Sequence, residues 1–252
     1  MIPWIDDDHT PLPTPEGRGD PELPGLVAAG GTLSLARLEE AYRKGLFPWY
    51  GPGQPVLWWS PDPRMVLPVE QFRLTRSLRK TLRRFLHTPG CTVRIDSAFR
   101  RVSEACAATP RDGQEGTWIV PEIVDAYTAW HEAGFTHSVE TWVGDELVGG
   151  LYFVSIGRMV FGESMFSHRT DASKVALAAL MAACRARGVP WVDCQQHTAH
   201  LASLGARDVP RQDFVRHLAL TLGAGPVPEW TYDATHWAWL DPALDGPAHE
   251  HA

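Results

Sequence analysis

Three short polar groups in this sequence have residue types that do chemistry. In FGESMFS the acid Glu163 is flanked by small and apolar residues at a strand end. A carboxylate buried there without a partner is expensive, so it serves either as a structural hydrogen-bonding group or as a ligand for something cationic. In WVDCQ, Asp193 and Gln195 alternate with Val192 and Cys194. The two-residue period of a strand puts both polar side chains on one face, where they either bond neighbouring backbone or line a site. His197 and His200 have HxxH spacing, yet no Cys, Asp or Glu at ligand spacing completes a metal set. A polar pair capping or lining a site fits them better. Cys194, alone beside a buried strand, reads as a small hydrophobe rather than a nucleophile. GxSxG and a Gly-rich phosphate loop with its Lys are both absent.

The basic residues form a fourth group. Arg73, Arg76, Arg79, Lys80, Arg83 and Arg84 stand between Phe72 and Phe85 with no acid among them. A charged helix face is usually just solvated. Here, like charges three and four residues apart cost helix stability. A polyanion partner offsets that cost by counterion release. A membrane surface ranks below nucleic acid, because the apolar stripe is short and the core needs it.

The elements that must position these groups follow from pattern. Residues 1–25, rich in Pro, Gly and Asp, predict an irregular arm. In TLSLARLEEAYRKG, Ser34 or Thr32 caps a helix with Leu35, Leu38, Ala41 and Tyr42 as its stripe and Gly45 as its stop. A Pro- and Gly-dense stretch with Trp49, Trp58 and Trp59 closes a small N-terminal domain near Arg64. Residues 72–87 form the clearest amphipathic helix, with Leu74, Leu78, Leu82 and Phe85 at helical spacing. CTVRID predicts a strand, AFRRVSEACAA a helix, and PEIVDAYTAWHEAGF a helix opened by Pro121 and stopped by Gly134. HSVETWV and LVGGLYFVSIGRMVFGESMFS predict three successive strands. A helix at DASKVALAALMAACRARG, the strand WVDCQ and helical HLASLGA and RQDFVRHLALTL follow. This order predicts an α+β protein: domain 1–64, then a GNAT-like acyltransferase domain over 65–232 with a mixed, largely antiparallel sheet. Residues 233–252, Pro- and His-rich, predict a poorly ordered tail.

Composition bounds the function. The 252 residues carry 23 basic and 30 acidic side chains, a net charge of −7, which excludes nonspecific coating of nucleic acid. Only Lys44, Lys80 and Lys174 are lysines, so the positive charge is nearly all arginine, which suits phosphate and carboxylate recognition. Eleven Trp exceed what a core of this size needs and suit rigid apolar pockets. Four cysteines without CxxC, an acidic N-terminus without a signal h-region, and no run near ~18 apolar residues predict a cytoplasmic protein with no membrane partner.

The segments FPWY (47–50), LWWSPDPR (57–64), GTWI (116–119), HSVE (137–140), LVGGLY (147–152), GESMFS (162–167), ASK (172–174), DCQ (193–195) and HLASLGA (200–206) stand in one order. Together they resemble the leucyl/phenylalanyl-tRNA–protein transferase family, over about Gly25 to Phe214. The resemblance implies transfer of Leu or Phe, with Met less well, from aminoacyl-tRNA (Leu-tRNA, Phe-tRNA). The acceptor is the N-terminus of a protein that begins with Arg or Lys, which is thereby marked for degradation. It implies a GNAT-like fold and no metal or small cofactor, and a monomer is the default. Glu163, Asp193 and Gln195 match the family's catalytic group. Trp49 and Trp118 match its aminoacyl pocket, and Leu151 and Val160 match positions it fills with other apolar residues.

On that reading an aminoacyl ester is already activated, so the enzyme mainly positions two substrates, and no nucleophile or metal is needed. Gln195 accepts a hydrogen bond from the attacking amine, and Asp193 orients Gln195. Glu163 holds the acceptor's α-ammonium or the terminal adenosine. A rival route shuttles the proton through the tRNA's terminal ribose hydroxyl. Glu163 and Glu140 are candidates for reading the acceptor's cationic side chain. Arg76, Lys80, Arg83 and Arg84 grip the acceptor stem by its phosphates, since an A-form helix offers mainly shape and charge. Two rivals stand beside this reading. An acyl-CoA acyltransferase needs a Gly-rich pyrophosphate turn, which DASKVAL lacks. A noncatalytic RNA-binding module leaves Glu163, Asp193 and Gln195 unexplained.

Overall fold

A computed structural model describes residues 2–16, 22–109 and 119–244. Its strands are β1 (Trp4–Ile5), β2 (Leu26–Gly30), β3 (Phe47–Pro48), β4 (Leu57–Trp59), β5 (Arg64–Pro68), β6 (Cys91–Ile95), β7 (Thr136–Val143), β8 (Glu146–Ile156), β9 (Met159–Ser167), β10 (Trp191–Gln195) and β11 (Arg207–Val209). Its helices are α1 (Leu35–Arg43), α2 (Arg76–Leu86), α3 (Phe99–Ala108), α4 (Pro121–Glu132), α5 (Ala172–Ala186), α6 (Ala199–Ser203) and α7 (Arg211–Leu222).

Local signals set most of these boundaries. Ser34 caps α1 by accepting from the Arg37 N–H, and Gly45 ends the turn at φ +75°, a conformation glycine adopts without steric cost. Thr75 caps α2 in the same way, accepting from the Leu78 N–H. The start of α5 differs. Asp171 stands there at φ 66° and makes no capping bond. Its carboxylate instead takes Lys174 Nζ at 2.7 Å and Thr81 Oγ1 at 3.2 Å.

The protein is α+β with two mixed sheets. A four-stranded sheet, ordered β1-β2-β4-β3, is built from residues before Ser60, with β1 parallel to β2. The predicted arm thus supplies a strand, and its Ile5 and Leu12 are buried. The second sheet is ordered β11-β5-β10-β9-β8-β7-β6. Its neighbours are antiparallel except β10 with β9.

Helices cover both faces of the larger sheet. One apolar cluster joins α1, the small sheet, α3, α4 and α7, through Leu38, Trp58, Phe99, Trp130 and Phe214. The other cluster lies under α2 and α5 on the opposite face. Gly149 of β8 permits the close seat of α5, since a Cβ there would stand 2.5 Å from Ala172 Cβ. Buried on nearly every side, α5 reads as an apolar run rather than a stripe.

The expectation of a poorly ordered tail does not hold for residues 233–244. They form 3-10 turns at Ala234–Trp239 and Pro242–Leu244, with Trp237 and Leu244 buried in the α5 cluster and Asp241 paired to Arg79 at 2.6 Å. Two apolar anchors outweigh a Pro- and His-rich composition. The remaining tail residues, 245–252, lie outside the described residues. No described helix is long and apolar enough to cross a membrane.

Candidate active site

Two β-bulges build the site. Between β8 and β9 the register steps from Tyr152↔Ser164 to Phe153↔Gly162, so Glu163 is the extra residue on its strand. Between β5 and β10 it steps from Asp193↔Val66 to Gln195↔Met65, so Cys194 is the extra residue there. A bulge re-aims side chains and breaks the ladder locally. Gln195 absorbs the second one with φ 62°, in the left-handed region. The predicted strict alternation along WVDCQ therefore fails at its end, yet the polar residues still converge.

They are joined by hydrogen bonds. Gln195 Nε2 donates to Glu163 Oε1 at 3.1 Å, and the Gln195 backbone N–H donates to Asp193 Oδ1 at 2.9 Å. Asp193 is wholly buried and held bidentately by Arg64, whose Nε reaches Oδ1 at 2.8 Å and whose Nη2 reaches Oδ2 at 2.6 Å. Such a fork is the strong geometry for a guanidinium and a carboxylate. Arg64 also donates to the Gly45 carbonyl at 3.2 Å and lies over the Phe47 and Phe214 rings at 4.9 and 4.5 Å. The rings fix the guanidinium plane, and the guanidinium fixes Asp193.

Glu163 has a second donor. The Tyr42 hydroxyl, fully buried on α1, donates to Oε1 at 2.7 Å and lies 2.5 Å from the Tyr127 hydroxyl of α4. Glu163 is only partly exposed, and it lines a pocket. Burial pushes its carboxyl up to about 8, although the Tyr42 and Gln195 bonds favour the charged form. Burial and the neighbouring Glu163 raise both phenols well above their ordinary range, so they stay neutral donors.

A pocket of about 400 Å³ opens on this network. Trp49, Leu151, Met165, Leu177, Leu180 and Leu201 supply apolar wall, and Glu163, Gln195 and His200 supply polar wall. Trp49 is braced edge-on by Trp59, whose Nε1 donates to the Trp49 carbonyl at 2.7 Å. Val160 does not reach the wall. It is buried in the cluster beneath, paired with Val192. Trp118 lies outside the described residues. His197 pairs instead with Asp208 at 3.0 Å. Burial, with the Asp193 charge adding to it, drives the Cys194 thiol far above the ordinary range, which leaves no thiolate for attack. Glu140 is committed elsewhere. It is fully buried and accepts from Ser97, the Ala98 N–H, Ser138 Oγ and Trp142 Nε1, tying β7 to the start of α3.

Arg76, Lys80, Arg83 and Arg84 are exposed on α2, and among the described residues none forms an ion pair. Arg79 is the exception on that helix, bound to Asp241.

Sequence reasoning missed Arg64 and the Tyr42–Tyr127 pair. Tyr42 falls on an apolar stripe, and the only signal of a polar role is a hydroxyl where Leu would serve as well. Arg64 sits in the LWWSPDPR segment, with its partner 129 residues away.

Comparison with known proteins gives this site a context. The family model described as "Leucyl/phenylalanyl-tRNA protein transferase" matches residues 66–219, and that of its N-terminal domain matches residues 31–62. A leucyl/phenylalanyl-tRNA–protein transferase of Leptothrix cholodnii is 62% identical over 244 residues, covering 95% of each chain. One of Methylibium petroleiphilum is 60% identical, covering 95% of this chain and 91% of that one. Among solved structures, a crystal structure of FemX superposes with TM-score 0.43 at 11% identity, over 72% of this chain and 70% of that one. So distant a likeness decides nothing about function. The sequence matches define an aminoacyltransferase. The chain belongs to the leucyl/phenylalanyl-tRNA–protein transferase family.

Proposed function

We propose that this enzyme takes Leu or Phe, with Met less well, from aminoacyl-tRNA. It joins that residue to the α-amine of proteins beginning with Arg or Lys, which marks them for degradation, and it works as a cytoplasmic monomer. The observation that carries this is the apolar pocket of about 400 Å³ with the Glu163–Gln195 pair on its wall, in a chain of this family. The apolar wall suits an unbranched-at-Cβ aminoacyl side chain, and the polar pair suits an attacking amine. The antiparallel run β7–β8–β9, followed by α5 and by β10 parallel to β9, supports a GNAT-like reading of the catalytic domain. Residues 1–64 and 65–232 remain the division we propose.

The mechanism is direct attack of the acceptor's α-amine on the ester carbonyl: the amide C–N bond forms and the ester C–O bond breaks. Of the two protons that the α-ammonium gives up, Glu163 takes one, and the tRNA's terminal ribose oxygen leaves as a hydroxyl with the other. Gln195 donates its amide N–H to Glu163, which turns its carbonyl oxygen toward the incoming amine as acceptor. Glu163 faces the acceptor's α-ammonium. A carboxyl near 8 is matched to an α-amine, whose ordinary range is about 7.7–8.0, so the proton moves with little cost. Asp193 touches neither substrate; it positions Gln195 through the backbone N–H.

An assay with labelled Leu-tRNA and Phe-tRNA tests the proposal. Peptides starting with Arg or Lys should be extended by one residue, and one starting with Ala should not. No transfer to any peptide would refute it. Neutralising Arg76, Lys80, Arg83 and Arg84 together should raise KM for aminoacyl-tRNA. It should also flatten the log–log salt dependence of binding by about 3–4, at roughly 0.9 for each phosphate no longer neutralised. An unchanged slope would place the tRNA elsewhere on the surface.

A further inference from the structure

A larger cavity, about 750 Å³, shares no lining residue with the transfer pocket. It lies where the β6–α3 link, the end of α4, the start of β7 and residues 226–232 meet. Its wall holds a cluster that aminoacyl transfer does not use. Asp96 stands at φ 58°, in the left-handed region that residues with a side chain rarely adopt. There its Oδ1 accepts from the Ser138 N–H at 2.8 Å, and its Oδ2 lies 2.7 Å from His137 Nδ1. His131 Nδ1 lies 4.0 Å from Asp96 Oδ1 and 2.7 Å from the Thr136 carbonyl. Ligand atoms of all three side chains fall within 4.8 Å of one another. Aromatic rings flank both imidazoles. His131 stacks on Phe99 at 4.5 Å, and His137 packs against Phe153 at 5.4 Å and Trp230 at 5.9 Å.

We infer that Asp96, His131 and His137 bind one divalent transition-metal ion of the zinc class, with the cavity side open to water or a small ligand. Two imidazoles and one carboxylate are a donor set for such an ion, and three protein ligands leave a fourth position. Imidazole protons now join the lone pairs, His137 to Asp96 and His131 to the Thr136 carbonyl. On binding, each neutral imidazole carries its proton on Nε2 instead, so that its Nδ1 lone pair and the Asp96 carboxylate face the ion. Free protons compete for those lone pairs, so binding weakens as pH falls. Metal–ligand bonds of ~2.0–2.2 Å set tetrahedral ligands about 3.3 Å apart, so Asp96 and His137 separate by about 0.6 Å and His131 turns toward them. The Ser138 N–H keeps the carboxylate aimed, as an outer-shell bond does. Bound there, the ion cross-links α4, β7 and the β6–α3 link. It braces the edge strand β6 against β7, which carries Glu140, and shares no residue with the transfer pocket. This inference does not depend on the proposed substrates.

Full-length protein, stripped with a chelator, would be titrated with Zn²⁺ against a chromophoric chelator. Wild type should bind one equivalent at least tenfold more tightly than the His131→Gln/His137→Gln double variant, and the near-isosteric Asp96→Asn should also lose at least tenfold. The surface histidines and the tail's His249 and His251 are common to all and cancel in the comparison. Co²⁺ in wild type should give the visible bands of a tetrahedral ion. Saturating Zn²⁺ should raise the Tm of wild type by mass action, a readout independent of whether the variants fold. Equal affinity in wild type and double variant, full affinity in Asp96→Asn, or no rise in wild-type Tm would each overturn the site.

Discussion

Asp193→Ala is expected to abolish measurable transfer and to cost about 3–5 kcal/mol of stability, because it strands the buried Arg64 guanidinium without its carboxylate. Taken alone, that variant confuses misfolding with lost catalysis. The double variant Arg64→Met/Asp193→Leu separates them. Replacing both members of a buried pair by apolar residues is often neutral for stability. The double variant should therefore recover most of the lost stability in denaturant unfolding while transfer stays collapsed. Its Gln195 N–H has lost the Asp193 Oδ1 acceptor at 2.9 Å, which spans the φ 62° turn that aims the side chain. A double variant with near wild-type kcat/KM would remove Asp193 from the mechanism.

Glu163→Gln should lower kcat/KM by about 10²–10⁴-fold, the usual worth of a positioned proton acceptor. The same change should stabilise the protein in base. An ordinary Glu ionises near 4.5, whereas Glu163 in the folded chain ionises near 8. Between those values the unfolded chain binds fewer protons than the native one, so stability falls as pH rises. Gln cannot ionise and keeps an acceptor for Tyr42. At pH 8.5 the variant should be more stable by about 1–2 kcal/mol, less than the full ionisation cost because pocket water reaches the side chain. In wild type kcat should climb through pH 8 as Glu163 and the acceptor's α-amine lose their protons, and in the variant only the amine's share of that limb should remain. A rate within tenfold of wild type, or a lower Tm at pH 8.5, would count against Glu163 as the proton acceptor.

Local signals are legible in the sequence where the physics is local. Ser34 and Gly45 punctuate α1 through bonds made within a few residues, and each stands where its pattern requires. The helix expected over 72–87 instead begins at Arg76, because Thr75 caps it while the apolar spacing of Leu74 runs on past the cap. Glu163, Asp193 and Gln195 are legible as polar residues set among apolar ones, a mismatch that needs a partner. What joins them is not legible. A bulge depends on the register of a partner strand, and no spacing within GESMFS or WVDCQ records that Glu163 and Cys194 are surplus residues. Tyr42 reads as core because its ring is core; only its hydroxyl reaches the polar network at Glu163. Residues 233–244 read as tail because the Pro and His of the last twenty residues set the reading, whereas Trp237, Leu240 and Leu244 dock the segment.

The span of chain between the site's partners has a consequence for how activity first arises. Tyr42 meets Glu163 across 121 residues, and Arg64 meets Asp193 across 129. Contacts of such separation form late, after the closure entropy of long loops has been met by other burial. During synthesis, α1 and β5 leave the ribosome long before β10, so the nascent enzyme holds half of its site with no counterpart. Catalytic competence therefore marks completion of the whole topology, and an assay of transfer during refolding would serve as a clock for the last long-range step rather than for collapse.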